Sequence, residues 1–209
     1  MELKKIGITL RVETIEKYDE KRDAISQDWI KFLEELNFLP VLIPNSLNDI
    51  QKFLETMKLD GLILSGGDNM GDDSKRDKTE KLIIKFGIEN NIPILGICRG
   101  MQVINDFFGG HLIKTNSLNH VKKKHMIKII DKKFQDILSN NIDVNSYHQN
   151  IIKKETVGAK LEIFATVEDD ETIEGFYHRD FAICGIMWHP EREISFKNGL
   201  KLLDFFYNK

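Results

Sequence analysis

Short, mostly apolar runs alternate with amphipathic segments along the first half of the chain. The runs have the length and hydrophobicity of buried strands, and the segments between them place apolar residues every three or four positions, as helices do. The predicted strands are residues 5–10, 39–44, 60–64 and 92–97, and the predicted helices include residues 29–36, 47–57 and 78–90. Strands that alternate with helices in this way predict a parallel sheet with helices on both faces.

The second half predicts a different arrangement, because its strands follow one another with few helices between them. Strands are predicted at residues 111–113, 124–130, 143–147, 161–167, 172–178 and 181–187, several in hairpin order. A helix over residues 195–207, with Phe196, Leu200, Leu203 and Phe206 inward, closes the chain. We therefore expect a single α/β domain over residues 1–209. Its central, mostly parallel sheet is flanked by helices and gains antiparallel strands in the C-terminal half, while the polar segment 11–21 is predicted to be a loop.

The predicted strand 92–97 runs into a pentapeptide that suits a nucleophile. Residues 96–100 (Gly-Ile-Cys-Arg-Gly) join this strand to a helical pattern that begins near Met101. A cysteine at such a strand-to-helix turn is a nucleophile elbow with sulfur in place of the hydroxyl. The flanking glycines allow close packing, and the helix N-terminus favours the thiolate of Cys98. The plainer alternative is a small buried cysteine at a strand end.

A second segment places a base near such a nucleophile. His189 ends a predicted strand, and the proline after it favours an extended backbone, so that Glu191 can reach the imidazole and hold its tautomer. The other ring nitrogen is then available to Cys98. Taken alone, this segment is more simply a strand-end histidine beside a surface glutamate.

A third segment could bind a negative charge. Two glycines, Gly66 and Gly67, follow the predicted strand 60–64, and successive glycines let backbone N–H groups turn towards an anion. Gly67 and Arg99 could therefore donate the two backbone N–H groups of an oxyanion hole. An ordinary turn between a strand and a helix is the alternative.

Composition limits the other classes of function. The chain has 209 residues and a formal net charge of −3, which argues against a general nucleic-acid or membrane-surface binder. Its apolar runs are too short to span a bilayer, and its N-terminus lacks a signal-peptide pattern. Two cysteines form neither a disulfide framework nor a metal-ligand pattern, so we expect a cytoplasmic protein without a metal or cofactor.

Together the three segments resemble the class I glutamine amidotransferase-like superfamily, and within it the stand-alone γ-glutamyl hydrolases of the γ-glutamyl-γ-aminobutyrate hydrolase kind. The supporting motifs are Arg76-Asp77-x-x-Glu80, Cys98-Arg99-Gly100-Met101-Gln102, Phe108-Gly109-Gly110, Val144-Asn145-Ser146-Tyr147-His148-Gln149 and Met187-Trp188-His189-Pro190-Glu191. The resemblance implies a Cys98–His189–Glu191 triad, an oxyanion hole at Gly67 and Arg99, and a small-molecule γ-glutamyl amide as substrate. It also implies that Gln102, Ser146, Tyr147 and His148 lie near the glutamyl group.

A basic segment bears on the leaving group. Residues 120–125 (His-Val-Lys-Lys-Lys-His) are either a solvated hairpin or a patch that steers a phosphate-bearing substrate through Lys122, Lys123 and Lys124. The resemblance extends to hydrolases of bacterial capsule phosphoramidate biosynthesis, which remove glutamate from γ-glutamyl-CDP-amidate. It therefore implies a nucleotide as one possible leaving group.

Two other functions stay open at this point. The chain could be the glutaminase subunit of an amidotransferase that delivers ammonia to a separate synthetase, or a non-catalytic binding module with the same fold. An oligomer is possible. We interpret Cys184 as a core residue, and His111, His120, His125 and His178 as histidines without ligand spacing.

Overall fold

The alternation of strands and helices in the first half is present in the computed structural model, which describes residues 3–114, 121–168, 171–193 and 197–208, with the backbone alone at 121–123. In chain order the elements are β1 (Lys4–Thr9), β2 (Arg11–Ile15), β3 (Glu20–Ala24), α1 (Gln27–Glu35), β4 (Phe38–Ile43), α2 (Ile50–Met57), β5 (Gly61–Leu64), α3 (Ser74–Glu89), β6 (Ile94–Ile97) and α4 (Arg99–Phe107). Strands β1, β4, β5 and β6 pair in parallel, as the pattern predicts.

The second half adds the antiparallel strands. Its elements are β7 (Ile113–Lys114), β8 (Val121–Ile129), α5 (Lys132–Leu138), β9 (Asn141–Tyr147), β10 (Asn150–Ile151), β11 (Leu161–Val167), β12 (Ile173–His178), β13 (Ile183–Ile186) and α6 (Lys197–Tyr207). Within the described residues the main sheet has nine strands in the order β4-β1-β5-β6-β13-β12-β11-β8-β9. The predicted mixed sheet is therefore confirmed.

The sheet brings three chain segments to one edge. Strand β6 pairs in parallel with β5 on one side and with β13 on the other, with Ile97 opposite Ile186. The carboxyl ends of β5, β6 and β13 therefore lie on the same side of the sheet, and open parallel sheets bind ligands at the carboxyl ends of their strands.

The segment predicted to be a loop at residues 11–21 is instead part of a β-hairpin. Strands β2 and β3 pair antiparallel, with Arg11 opposite Ala24 and Ile15 opposite Glu20. The prediction was wrong because this hairpin carries charged residues on both faces and therefore lacks the alternation that marks a half-buried strand.

Two helices also differ from the prediction. Helix α3 begins at Ser74 rather than near residue 78, because the side chain of Asp73 accepts hydrogen bonds from the N–H groups of Lys75 and Arg76. Helix α5 was not predicted. Its seven residues bury only Phe134 and Leu138, which is too little for a helical period to stand out.

Aromatic side chains hold α5 and α6 against the main sheet. Phe134 stacks on Phe164 with ring centroids 3.9 Å apart, and Tyr207 in α6 donates a hydrogen bond to the carbonyl of Leu62 in β5 at 2.6 Å. The last helix is thereby held against a central strand of the sheet. Within the described ranges, each helix is too short or too polar to cross a bilayer.

Candidate active site

Cys98 lies at the turn between β6 and α4, with φ of 50° and ψ of −103°. A positive φ in a residue other than glycine is strained, and its backbone N–H is held by the carbonyl of Ile186 at 2.8 Å. A Cβ at Gly100 would come within 2.0 Å of the carbonyl oxygen of Leu64, and one at Gly96 within 2.6 Å of Gly100. The elbow geometry predicted for Cys98 is therefore present, and both glycines are required for close packing.

His189 and Glu191 form a buried pair beside this turn. Their side chains are joined at 2.7 Å, between His189 Nδ1 and Glu191 Oε1, and the two residues are 4% and 2% exposed. Glu191 reaches the ring through a short 3₁₀ turn over Pro190–Arg192, whereas the sequence suggested an extended segment. The expected contact forms, and it directs the other ring nitrogen of His189 towards Cys98.

The charges around Cys98 favour its thiolate. Burial alone would raise the pKa of the Cys98 thiol, but the charge of His189, a hydrogen bond with that ring and the charge of His148 outweigh it. The pKa of Cys98 therefore lies below its usual value. Burial likewise disfavours the charged form of His189, yet Glu191 and Cys98 raise its pKa to about 10. Because the pKa of the thiol lies below that of the imidazolium, a thiolate–imidazolium pair is the expected state of this site.

The backbone of His189 is held by Asn145, a contact that the sequence did not predict. The Asn145 side chain accepts from the His189 N–H at 2.9 Å and donates to the His189 carbonyl at 2.8 Å. Strand β9 thereby fixes the position of the residue that follows β13. Asn145 lies in a quoted motif, but its partner is 44 residues away and no local pattern identifies it.

A buried cluster of one glutamate and two histidines adjoins the site, with His148 in the same cavity as Cys98. Glu174 in β12 is fully buried, with Oε1 3.5 Å from His148 Nε2 and Oε2 3.6 Å from His125 Nε2. Burial would raise the pKa of Glu174, but its contacts with His125 and His148 lower it, and Glu174 in turn raises the pKa of His148 against the effect of burial. His125, which we took for a histidine without a site role, therefore belongs to this cluster. The signal was an acid inside the otherwise uncharged buried run 173–176.

We expect Glu174→Gln to make Cys98 less acidic. Loss of the buried charge lowers the pKa of His148, so Cys98 loses one of two cations and its pKa rises. The measurement is the rate of Cys98 alkylation by iodoacetamide against pH. The acidic limb should move to higher pH, while the plateau should extend towards the pKa of His189, about 10.

The matched control is Glu162→Gln, since Glu162 lies on neighbouring β11 and pairs with Arg179 at the surface. This control should leave the alkylation profile in place. An unshifted acidic limb in folded Glu174→Gln would contradict a role for Glu174 in setting the thiolate.

The glycine loop after β5 is held by a buried arginine. Arg76 donates to the carbonyls of Ser65 and Gly66 at 2.9 and 3.0 Å and to Asp68 Oδ1 at 2.6 Å. Gly67 has φ of +136°, and a Cβ there would lie 2.8 Å from Arg76 Nη1 and from Arg11 Cβ. The loop is therefore restricted to glycine at this position and fixed by Arg76.

The side chain of Arg99 points away from the sulfur. It hydrogen-bonds Glu80 and Asp77 in α3, and Glu80 also contacts Arg76 Nε at 3.1 Å and the hydroxyl of Thr9 at 2.8 Å. The motif Arg76-Asp77-x-x-Glu80 thus forms a buried ionic network between the glycine loop and the elbow. The backbone N–H of Arg99 lies within hydrogen-bonding reach of Cys98, and its predicted role in an oxyanion hole stays a prediction.

Three of the four predicted substrate residues line one cavity with Cys98. Gln102, Tyr147 and His148 surround a space of about 240 Å³ that also reaches Gly67. Ser146 is fully buried in β9 and does not line this cavity. We therefore expect Ser146 to act through the position of its neighbours and not by contact with substrate.

The remaining predicted residues lie elsewhere. Cys184 is 1% exposed in β13, and burial raises its pKa to about 12, which confirms it as a core residue. His178 packs between Phe108 and Phe181. Among the described residues no group of His, Cys, Asp and Glu is arranged to hold a metal ion.

The basic segment can be placed only in part. Its strand β8 pairs with β9, with Lys124 opposite Asn145, and Lys124 is exposed. His120 and the side chains of Lys122 and Lys123 lie outside the described residues. The phosphate-steering patch therefore stays a prediction.

Known proteins are similar to this chain in sequence and in fold. A model of the Peptidase C26 family matches residues 5–191. The chain is 36% identical to the gamma-glutamyl-CDP-amidate hydrolase of Campylobacter jejuni, over 96% of each chain. It is 34% identical to the anthranilate synthase component 2 of Cyanophora paradoxa, over 89% of this chain and 94% of that one. The crystal structure of a glutamine amidotransferase from Thermotoga maritima has a TM-score of 0.75 over the full length of both chains, at 15% identity, which confirms the fold.

Proposed function

Since the chain belongs to the Peptidase C26 family, we propose that it is a cysteine-dependent hydrolase that cleaves a γ-glutamyl amide bond and releases L-glutamate. The observation that carries this proposal is the buried His189–Glu191 pair beside a strained Cys98 of lowered pKa. A cysteine that only filled the core would need neither a charged partner nor a strained backbone. Cys184 illustrates that case, since its pKa is raised.

The proposed reaction has two steps. The Cys98 thiolate attacks the γ-carbonyl carbon, and the amine leaves with a proton from His189, so that the C–N bond is replaced by a thioester. His189 then takes a proton from water, whose oxygen attacks the thioester and frees glutamate and the thiolate. Glu191 orients the imidazole and stabilises its charge in both steps.

The oxyanion of each step is assigned to backbone donors. The N–H groups of Gly67 and Arg99 are the candidates, because the glycine loop and the elbow adjoin Cys98 and are joined by the network of Arg76 and Glu80. Preorganised hydrogen-bond donors stabilise developing negative charge without reorganisation. In other enzymes, the loss of one such donor lowers kcat by about 10²–10³-fold.

The glutamyl group is assigned to the cavity of Gln102, Tyr147 and His148. For the leaving group, the name of the relative from Campylobacter jejuni makes γ-glutamyl-CDP-amidate the first candidate substrate. A role in capsule biosynthesis and a cytoplasmic location remain proposals of the same kind. The location is supported by two free, buried cysteines.

A glutaminase subunit is the second candidate function. It is favoured by the 34% identity to an anthranilate synthase component 2, a protein named as one component of a larger enzyme. Such a subunit should hydrolyse glutamine slowly by itself and faster with a synthetase. A stand-alone hydrolase should instead prefer one other γ-glutamyl amide.

The test is glutamate release from a panel of glutamine, γ-glutamyl amines, γ-glutamyl peptides and γ-glutamyl-CDP-amidate. We expect one panel member other than glutamine to have a kcat/KM at least about tenfold above that for glutamine. Weak release from glutamine alone would favour the glutaminase subunit. Release from no member, together with slow alkylation of Cys98, would favour the non-catalytic module.

A further inference from the structure

Two cavities meet at Cys98. The first is the space of about 240 Å³ that contains Gln102 and His148. The second has a volume of about 350 Å³ and contains Arg11, Arg192 and His189. Gly67, Asp68, Cys98 and Tyr147 line both cavities, so the two spaces flank the sulfur. If the first holds the glutamyl group, the second lies on the side of the imidazole that protonates the leaving amine.

Arg192 is placed at one wall of the second cavity. Its guanidinium carbon lies 4.7 Å from the centroid of the Tyr147 ring, in a cation–π arrangement that orients the planar group. Its nearest acidic contact is Glu191 at 3.7 Å, and that carboxylate is engaged at 2.7 Å by His189. The charge of Arg192 is therefore only partly compensated within the protein.

Arg11 stands at another wall of the same cavity. Its Nη2 pairs with Glu13 at 2.7 Å, but both side chains are about two-fifths exposed (39% and 45%), so the pair is weak and an anion can replace it. Its Nε is buried and has no hydrogen-bond partner among the described residues. The other acid at this wall, Asp68, is already bound to Arg76 at 2.6 Å.

The β2–β3 hairpin holds Arg11 in place. The Val12 N–H donates to Asp68 at 3.3 Å, and Lys21 pairs with Asp73, the cap of α3, at 2.7 Å. Both contacts join the hairpin to the segment between β5 and α3. Arg11 is therefore positioned against the glycine loop although it lies on a separate two-stranded sheet.

We infer that Arg11 and Arg192 form a leaving-group subsite for an anionic, phosphate-bearing amine. Guanidinium groups bind phosphate oxygens through paired N–H donors, and two of them at one cavity suit two linked phosphates better than a neutral or cationic amine. This inference rests on the proposed γ-glutamyl hydrolase activity. It assigns phosphate recognition to residues other than Lys122–Lys124.

The first test compares two substrates that differ only in a phosphate, γ-glutamyl-O-phosphoethanolamine and γ-glutamylethanolamine. We expect the ratio of their kcat/KM values, phosphorylated over unphosphorylated, to fall about tenfold in Arg192→Gln and in Arg11→Gln, mainly through KM. The matched control is Arg22→Gln, because Arg22 lies on the same hairpin and pairs with Glu20 at the surface. An unchanged ratio in both subsite variants would overturn the inference.

The second test separates the subsite from the reaction. Calorimetric titration of the wild-type chain with CDP should give binding that weakens at least about tenfold in the double variant Arg11→Gln/Arg192→Gln. Equal binding by the wild type and the double variant would overturn the subsite even if turnover is normal. Arginine-dependent binding of CDP without hydrolysis of any γ-glutamyl amide would support the anion subsite and contradict the proposed activity.

Discussion

Cys98→Ala is expected to abolish glutamate release from the preferred γ-glutamyl amide. The substitution removes the sulfur that would form the thioester, and the other cysteine, Cys184, is buried in β13. Loss of a catalytic nucleophile leaves only the contribution of binding and oxyanion stabilisation, so we expect a fall in kcat of at least about 10⁴-fold. The measurement is a coupled assay for glutamate under saturating substrate.

Cys184→Ala is the matched control, since it removes the second cysteine from buried strand β13. This variant should keep most of its activity and still be alkylated at Cys98, whereas Cys98→Ala should lose both. If Cys98→Ala kept a tenth or more of the wild-type rate with an unchanged Tm, the proposed nucleophile would be wrong.

Among the substitutions proposed here, Arg76→Leu is expected to lower the free energy of unfolding the most. Arg76 is fully buried and contacts Asp68, Glu80 and the carbonyls of Ser65 and Gly66. Removal of one partner from a buried ionic network leaves the other charges under-compensated, at a cost of about 3–5 kcal/mol. For a chain of this length the corresponding fall in Tm is between about 6 and 20 °C, measured by calorimetry or circular dichroism.

Arg179→Leu is the control for this prediction, because Arg179 makes an exposed pair with Glu162 and should leave the Tm in place. Arg76→Lys keeps the charge but cannot make every contact of the guanidinium, so we expect a folded protein with a lower kcat through a less ordered glycine loop. A Tm of Arg76→Leu within about 2 °C of the wild type would contradict the structural role of the network.

Local patterns were sufficient for the elbow and the His–Glu pair. Cys98 lies between a strand and a helix that are contiguous in the chain, and Glu191 is two residues from His189. Neighbours in sequence therefore determine both the turn at Cys98 and the contact between His189 and Glu191. The family resemblance followed from the same motifs, and the match to residues 5–191 confirms it. The roles of the triad, the oxyanion donors and the substrate residues stay predictions until the variants are measured.

The order of strands and helices could also be read from the chain, because buried strands and amphipathic helices have characteristic periods. The prediction was wrong where the spacing of apolar residues does not distinguish a strand or a helix from a loop. Hairpin residues 11–24 are charged on both faces, and α5 is too short for its period to be recognised.

The surroundings of the sulfur depended on the tertiary structure. Asn145 holds His189 across 44 residues, Glu174 joins two histidines from other segments, and Arg11 reaches the site through a hairpin tied to Asp68. Each contact joins segments that are distant in the chain, and several of them join strands that are not neighbours in the sheet. A linear pattern encodes which face of a strand is buried, but it does not encode which charges on different strands will meet, because strand order and register decide that.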